Sequence, residues 1–107
     1  SMERVLVPTG LILDIPEGYS VRLHSRSGLV YNYGLYLTNC EGIIDWDYVD
    51  PIFIIMTNIS QAPKTINNGD RICQGELVEK VYHGFKHIKK PPTRKTERDG
   101  GFGSTGK

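Results

Sequence analysis

The stretch RVLVPTGLILDIPEGYSVRLH, residues 4–24, decides the fold class of this chain. Its apolar residues fall into three short runs, which are Arg4–Val7, Leu11–Ile15 and Tyr19–His24. Turn-forming tripeptides, Pro8–Gly10 and Pro16–Gly18, separate the runs. Short runs rich in Val, Ile and Leu that end at Pro and Gly predict β-strands joined by tight connections.

The rest of the chain continues this pattern. Further strands are predicted at Gly34–Thr38, Ile43–Ile44, Ile52–Thr57, Lys64–Ile66 and Arg71–His83. The nearly continuous apolar run Ile52–Thr57 indicates a strand buried on both faces, and Asn67–Asp70 is typical of a hairpin turn. The helical period is missing except for a turn or two after Arg26-Ser27-Gly28. We therefore predict an all-β fold, a jelly-roll-like barrel or sandwich with at most one short helix.

Composition limits the class of protein. A chain of 107 residues forms one small domain, and its apolar content of 38% leaves a limited core, so burial against other copies is expected. The net charge of +1 argues against a general nucleic-acid binder. The sequence has neither a run long enough to span a membrane nor a recognisable secretory leader, so we expect a cytoplasmic protein, or a nuclear one in a eukaryote.

The composition changes near residue 86 and predicts three segments. Residues 1–85 form the β body, residues 86–97 form a basic, Pro-containing arm, and residues 98–107 form a glycine-rich C-terminal segment. The two cysteines, Cys40 and Cys73, have no CxxC spacing, so we expect small buried or half-buried apolar residues in a reducing compartment.

Four clusters carry residue types suited to a nucleotide. Ser25–Leu29 offers hydroxyls, a guanidinium and free backbone N–H groups to a phosphate. In Asn39–Tyr48 the carboxylates of Asp45 and Asp47 stand two residues apart, so on a strand both would share one face, where one could serve as a general base. Asn68–Gln74 is a turn that leads into a strand. In the tail, Phe102 suits a flat ring, and the Ser104-Thr105 hydroxyls suit phosphate oxygens. Any one of these clusters alone is more often structural.

The order and spacing of the clusters resemble the trimeric dUTPase family. Ser25–Leu29 is similar to the family's second motif, Asn39–Tyr48 to the third, Gly69–Gln74 to the fourth and Gly101–Gly106 to the fifth. The resemblance covers nearly the whole chain, including Val7–Gly10. The family's first motif, Ala-Gly-x-Asp-Leu, is expected upstream of Val7 and has no match among the residues, since Asp14 stands in the wrong place.

The resemblance implies hydrolysis of dUTP to dUMP and pyrophosphate, with Mg²⁺ held by the substrate phosphates and by water. Asp45 would activate the water that attacks the α-phosphorus, and Tyr48 would pack under the deoxyribose. Uracil would be read by Asn39 and by the backbone between it and Tyr48, including Gly42 and Ile44. Such a buried pairing rejects cytosine, whose donors and acceptors are reversed.

The resemblance also implies a phosphate site and a lid. The phosphate ligands would be Arg26, Ser27, Gly28 and Gln74. The lid residues would be Arg98, Phe102, Gly103, Ser104 and Thr105, with Phe102 over the uracil ring. The family assembles as a homotrimer with sites between subunits, so the expected partners are dUTP and further copies of the chain, without nucleic acid or membrane.

Some residues depart from the family pattern. Val49-Asp50 stands where the family usually has Arg-Gly, and Ser25 replaces a Pro. Arg98 lies one residue closer to Phe102 than usual, so Arg94 or Lys95 is an alternative ligand of the γ-phosphate.

Other residues of these motifs are assigned no role in the chemistry. Asp47 is expected to be structural and ion-paired with Arg71 or another cation, and Trp46 is expected to serve in packing. The histidines, which are expected to be non-catalytic, are His24, His83 and His87.

Two other functions remain open. A dCTP deaminase has the same fold, but its catalytic Glu would fall at Ile55, which cannot shuttle a proton. A regulator whose tail is ordered by dUTP is the stronger alternative, although it would have little need of the general base Asp45.

Overall fold

The computed structural model describes residues 2–101, and within them the chain forms two three-stranded antiparallel sheets and one short helix. The elements are β1 (Glu3–Pro8), β2 (Tyr19–His24), α1 (Ser27–Tyr33), β3 (Leu35–Leu37), β4 (Glu41–Asp45), β5 (Phe53–Asn58) and β6 (Gln74–Glu79). Sheet A has the strand order β1-β5-β3, and sheet B has the order β4-β2-β6. The predicted all-β organisation with one short helix is confirmed.

Strand β5 is the centre of sheet A and of the core. Met56 pairs with Val5 on one side and with Leu37 on the other. Leu37 is 1% exposed and Met56 2%, whereas Phe53 at the start of β5 is 51% exposed. The predicted burial on both faces therefore holds at Met56 and Thr57 and fails at Phe53.

Sheet B packs its inner face against this core through β2. Leu23 lies between Gly42 on β4 and Gly75 on β6, and a Cβ on either glycine would approach the Leu23 side chain to 3.4 Å. The buried core cluster consists of Leu35, Leu37, Ile52, Ile54 and Met56. Leu23 and Ile44 pack against it from sheet B.

Helix α1 ends at Gly34. This glycine has a φ of 73°, and its N–H group caps the carbonyls of Leu29 and Val30. A Cβ here would lie 3.1 Å from Ser60, so both the left-handed backbone and the close approach require glycine. The predicted short helix, a turn or two after Arg26-Ser27-Gly28, is confirmed.

Two predicted strands are not strands. Leu11–Ile15 crosses between the sheets as a loop. The Ile52 N–H, just before β5, donates to the Leu11 carbonyl (3.0 Å), but no further backbone bonds among the described residues extend this contact into a strand ladder. Ile15 is nevertheless buried. Lys64–Ile66 is also a loop, and Ile66 packs against the core. Apolar residues at both places supply core contacts without joining a ladder.

The predicted strand Arg71–His83 is shorter than expected. Strand β6 runs only from Gln74 to Glu79. Its partner β2 has six residues, and the pairing stops at the two ends of β2. The turn at Asn67–Asp70 is confirmed by the bond from the Asp70 N–H to the Asn67 carbonyl (3.0 Å) and by the φ of 91° at Gly69. It does not close a hairpin, since residues 64–66 pair with no strand.

Residues 86–101 contain no helix or strand and are exposed. No helix within residues 2–101 has the length and apolar character needed to cross a bilayer.

Candidate nucleotide-binding site

The second and fourth motifs lie side by side. The Arg26 guanidinium donates to the Arg71 carbonyl (3.0 Å), and the Gln74 amide donates to the Ser25 carbonyl (3.3 Å). The Leu37 N–H donates to the Ser25 hydroxyl (2.9 Å), which ties the loop to sheet A. Two segments separated by more than forty residues in sequence thus form one surface that carries a hydroxyl, an amide and a guanidinium, a donor set suited to phosphate.

The loop is open at the predicted phosphate contact. Ser27 begins α1, and a Cβ built on Gly28 would meet no atom within 4 Å. The backbone at Gly28 is therefore accessible from outside the chain.

A cavity of about 680 Å³ adjoins this surface. It is lined by three basic residues, Arg26, Lys64 and Arg71, and by Tyr33, whose ring lies 5.8 Å from the Lys64 ammonium. Sequence reasoning missed Lys64 because its short segment was interpreted as a strand.

The third motif connects the two sheets. β3 belongs to sheet A and β4 to sheet B, so the motif begins with a turn between the sheets. Cys40 at this turn has a left-handed φ of 64°. Asn39, Gly42 and Ile44 line a cavity of about 90 Å³, which is also lined by three residues of β5, Phe53, Ile54 and Ile55. The structure thus brings the predicted uracil-reading residues together.

Asp45 and Tyr48 lie at the other end of β4. The Asp45 carboxylate forms an ion pair with Lys80 (3.3 Å), and the Tyr48 hydroxyl donates to the Pro51 carbonyl (2.9 Å). Both residues line an open cavity of about 360 Å³ together with Asp47 and Phe53. The Asp45 carboxylate is exposed, so a water molecule can reach it.

The expectations for Asp47 are wrong. Asp45 is the last residue of β4 and Asp47 follows in a turn, so the two carboxylates do not share a strand face. Within residues 2–101, Asp47 forms no ion pair with Arg71 or with any other cation. Trp46, expected to serve in packing, is 40% exposed.

Asp45 is remote from the phosphate loop of its own chain. In sheet B, Asp45 pairs with Ser20, whereas Gln74 pairs with His24 at the other end of β2. Four residues of strand separate these positions, or about 13 Å at about 3.3 Å per residue. A single chain therefore does not bring Asp45 and Gln74 within contact of one phosphate.

An ion cluster joins β2 to β4 beside the third motif. Glu41 accepts from the Arg22 guanidinium (3.0 Å) and lies 2.9 Å from the His24 imidazole. The hydrogen bond with His24, aided by the charge of Arg22, lowers the pKa of the Glu41 carboxyl. His24 was expected to be non-catalytic, and this contact gives it a structural partner.

Because the folded-state pKa of Glu41 is lowered, its stabilisation is present above the unfolded carboxyl pKa and is lost as pH falls through the lower folded value. We expect the urea midpoint of the wild type to decline more between pH 7 and pH 3 than that of Glu41→Gln. The effect is small because the group is exposed. Glu17→Gln removes an acid that has no ion pair within residues 2–101, so it is the control and should retain the full decline. Parallel curves for wild type and Glu41→Gln would refute the assignment.

The cysteines differ from each other. Cys73 is half-buried as expected, and burial raises the pKa of its thiol. Cys40 is exposed, contrary to expectation, because it occupies the turn between the sheets. Both are free thiols.

The tail residues of the candidate site are only partly within the structure. Phe102, Gly103, Ser104 and Thr105 lie outside the described residues. Arg98 donates to the Gly100 carbonyl (3.1 Å), and Arg94 donates to the Arg98 carbonyl (2.7 Å). Arg98 and Arg94, two of the three candidate γ-phosphate ligands, are thus bonded to carbonyls at the start of the C-terminal segment.

Comparison with known proteins agrees with the motifs. A model of the dUTPase family matches residues 1–106. The deoxyuridine 5'-triphosphate nucleotidohydrolase of Finegoldia magna is 43% identical over 106 residues, which cover 98% of this chain and 73% of that protein. The enzyme of the same name from Dinoroseobacter shibae is 42% identical over 105 residues, covering 97% of this chain and 66% of that protein.

Solved structures share the fold. The dUTPase of Streptococcus mutans superposes with a TM-score of 0.73 at 28% identity, covering 78% of this chain and 70% of that one. The dUTPase of Staphylococcus bacteriophage 80alpha with dUPNHPP gives 0.75 at 24% identity, covering 98% and 77%. A mutant dUTPase of phage phi11, whose structure describes the coordination of a structural Mg(II) ion, gives 0.67 at 24% identity, covering 83% and 74%.

These likenesses confirm the predicted jelly-roll-like β fold. The match of the family model extends over almost every residue, and the relatives are more than 40% identical to the chain. The chain therefore belongs to the dUTPase family.

Proposed function

We propose that this chain hydrolyses dUTP to dUMP and pyrophosphate through a water activated by Asp45. The observation that carries the proposal is an exposed carboxylate, Asp45, beside Tyr48 on an open cavity, in a chain that matches the dUTPase family throughout. Asp45 accepts a proton from the water while the water oxygen bonds to the α-phosphorus, and pyrophosphate leaves. This reaction keeps uracil out of DNA and supplies dUMP.

The base end of the substrate is assigned to the third motif. Asn39 and the backbone at Gly42 and Ile44 border the small cavity between the sheets, where their donors and acceptors can match the edge of uracil. Cytosine presents the reversed pattern and would leave buried groups unpaired. The Tyr48 hydroxyl is held by its hydrogen bond to the Pro51 carbonyl, and the Tyr48 ring is assigned to the deoxyribose.

The phosphates are assigned to the second and fourth motifs. Arg26 and Gln74 converge through their bonds to Arg71 and Ser25, and Ser27 and Gly28 add a hydroxyl and an open backbone. The lid is assigned to Arg98, Phe102, Gly103, Ser104 and Thr105, with Arg94 or Lys95 as alternative cations. Catalysis on this assignment rests on positioning and charge neutralisation.

Mg²⁺ fits this donor set as an ion carried by the substrate. No group of three or more His, Cys, Asp and Glu side chains suited to a metal occurs within residues 2–101. Mg²⁺ usually keeps several waters and commonly binds substrate phosphates, so we assign it to the phosphates of dUTP and to water. When bound, the ion would neutralise charge on the phosphates.

We assign the complete site to more than one copy of the chain, in a homotrimer. Asp45 and Gln74 lie about 13 Å apart along sheet B, yet both have to reach the same triphosphate, so they have to come from different copies. Val81, Tyr82 and Phe85 are 81%, 78% and 95% exposed and offer apolar surface for such an assembly.

Light scattering should give a solution mass of about three times the chain mass of 12.0 kDa. Mixing inactive Asp45→Asn chains with inactive Arg26→Ala chains should restore part of the activity, because a mixed trimer contains sites with both residues intact. A monomer that turns over dUTP would contradict the assignment.

Turnover distinguishes this function from a dUTP-binding regulator. The purified chain with dUTP and Mg²⁺ should release dUMP and pyrophosphate, and dCTP should be a poor substrate. Tight dUTP binding without turnover would favour the regulator instead. Deamination is disfavoured because the residue at the position of the deaminase Glu is Ile55, which cannot shuttle a proton.

A further inference from the structure

Lys80 is a residue that none of the motifs includes. Its ammonium lies 3.3 Å from the Asp45 Oδ1 atom. Its backbone is fixed, because the Lys80 N–H donates to the Gly18 carbonyl (2.8 Å) one step beyond the end of β6. A cation on an anchored backbone therefore faces the carboxylate to which the chemistry is assigned.

The order of sheet B explains the contact. β2 lies between β4 and β6, and Ser20 on β2 pairs with Asp45 on one side and Val78 on the other. Paired residues point to the same face, and alternation places Lys80 on the face of Val78. Ser20 is short, so it leaves room for a side chain from the β6 end to reach across β2 to Asp45. Lys80 and Asp45 are 35 residues apart in sequence, so local sequence does not predict their contact.

The pairing is selective. Asp45, Asp47 and Asp50 stand within six residues of one another, and among these three acids of the described chain only Asp45 has an ion pair. A cation without a preferred partner on this surface could have paired with any of these three carboxylates. Lys80 contacts the one that family resemblance assigns to water activation.

We propose that Lys80 is a positioning residue for Asp45 in the hydrolysis of dUTP, an inference that rests on the proposed function. By holding Oδ1, the ammonium restricts the carboxylate rotamer and leaves Oδ2 to accept the proton of the attacking water. The water oxygen bonds to the α-phosphorus, the bond from that phosphorus to the bridging oxygen breaks, and pyrophosphate carries away the electron pair. A general base has to lie within hydrogen-bond reach of the proton it removes, so a fixed carboxylate is more often productive than a free one.

The expected effect is moderate because the pair is partly exposed, with side chains 38% and 54% accessible. Lys80→Met should lower kcat about fivefold, the upper end for an exposed pair, with KM for dUTP unchanged. Lys80→Arg should recover at least half of the wild-type kcat, because it restores the cation. Lys86→Met, which removes an exposed lysine of the arm, is the control for net charge and should match the wild type.

A double-mutant cycle separates positioning from a structural role. In the Asp45→Asn background, Lys80→Met should cause no further loss, whereas general damage to the sheet would lower both backgrounds equally. Circular dichroism and solution mass identify misfolded variants, and Lys80→Gln replaces any Lys80→Met protein that fails to fold. A wild-type kcat in folded Lys80→Met or Lys80→Gln, or a change in KM alone, would overturn the role of Lys80 while leaving the proposed function intact. Absence of turnover in the wild type would overturn both.

Discussion

Replacing Asp45 by Asn is expected to lower kcat for dUTP hydrolysis about 10³-fold while leaving dUTP binding largely intact. The amide keeps the size of the side chain but cannot accept the proton of the attacking water. The backbone of β4 should be unchanged, because the Asp45 side chain is 54% exposed and its ion pair in the described chain is with Lys80, at the surface. Steady-state kinetics and titration with a non-hydrolysable dUTP analogue measure the two quantities.

Asp50→Asn is the matched control. It removes the same charge from the same loop, five residues further on, at a carboxylate without an ion pair in the described part of the chain. Its kcat should stay within about threefold of wild type, the range expected for an exposed charge. A near-normal kcat in Asp45→Asn would mean that the base has been assigned wrongly.

Replacing Leu37 by Ala is expected to lower the free energy of unfolding by about 3 kcal/mol, within the range seen for buried Leu truncations. Leu37 is 1% exposed and pairs with Met56, itself 2% exposed, at the centre of sheet A. The buried cluster has only five members, so little apolar material is available to fill the cavity. Urea denaturation at fixed protein concentration measures the loss and removes the effect of assembly.

Leu11→Ala is the control for this prediction. Leu11 is 57% exposed, and surface truncations usually change stability by about 0.5 kcal/mol or less. Equal losses for the two variants would show that sheet A does not form the core as described.

Local signals predicted the elements that depend on local interactions. Strand β2 has the predicted ends because the Pro16–Gly18 turn and the end of the alternating pattern fix both of them. Helix α1 follows Arg26 as predicted and ends at Gly34, where the backbone is left-handed. Predicting these features does not require knowing which strands pair with each other.

Features that depend on strand partners were not predicted from sequence. Leu11–Ile15 has the composition of a strand but finds no continuous partner, and β6 ends with its partner β2. The turn at Asn39 and Cys40 connects two sheets rather than the strands of a hairpin, which also exposes Cys40.

The site shows the same division. The motifs identified Arg26, Gln74, Asn39 and Asp45 by residue type and spacing, and the fold brings the first two together on one surface. The contact of Lys80 with Asp45 depends on the strand order β4-β2-β6, which local sequence does not encode. The expected pairing of Asp47 failed for the same reason.

The position of bond cleavage tests the proposed chemistry most directly. The chain is incubated with dUTP and Mg²⁺ in water enriched in ¹⁸O, and the products are separated and weighed by mass spectrometry. Attack of an Asp45-activated water at the α-phosphorus predicts one ¹⁸O atom in dUMP and none in pyrophosphate at early times. Label in pyrophosphate, or release of inorganic phosphate and dUDP, would contradict the assignment of the reaction.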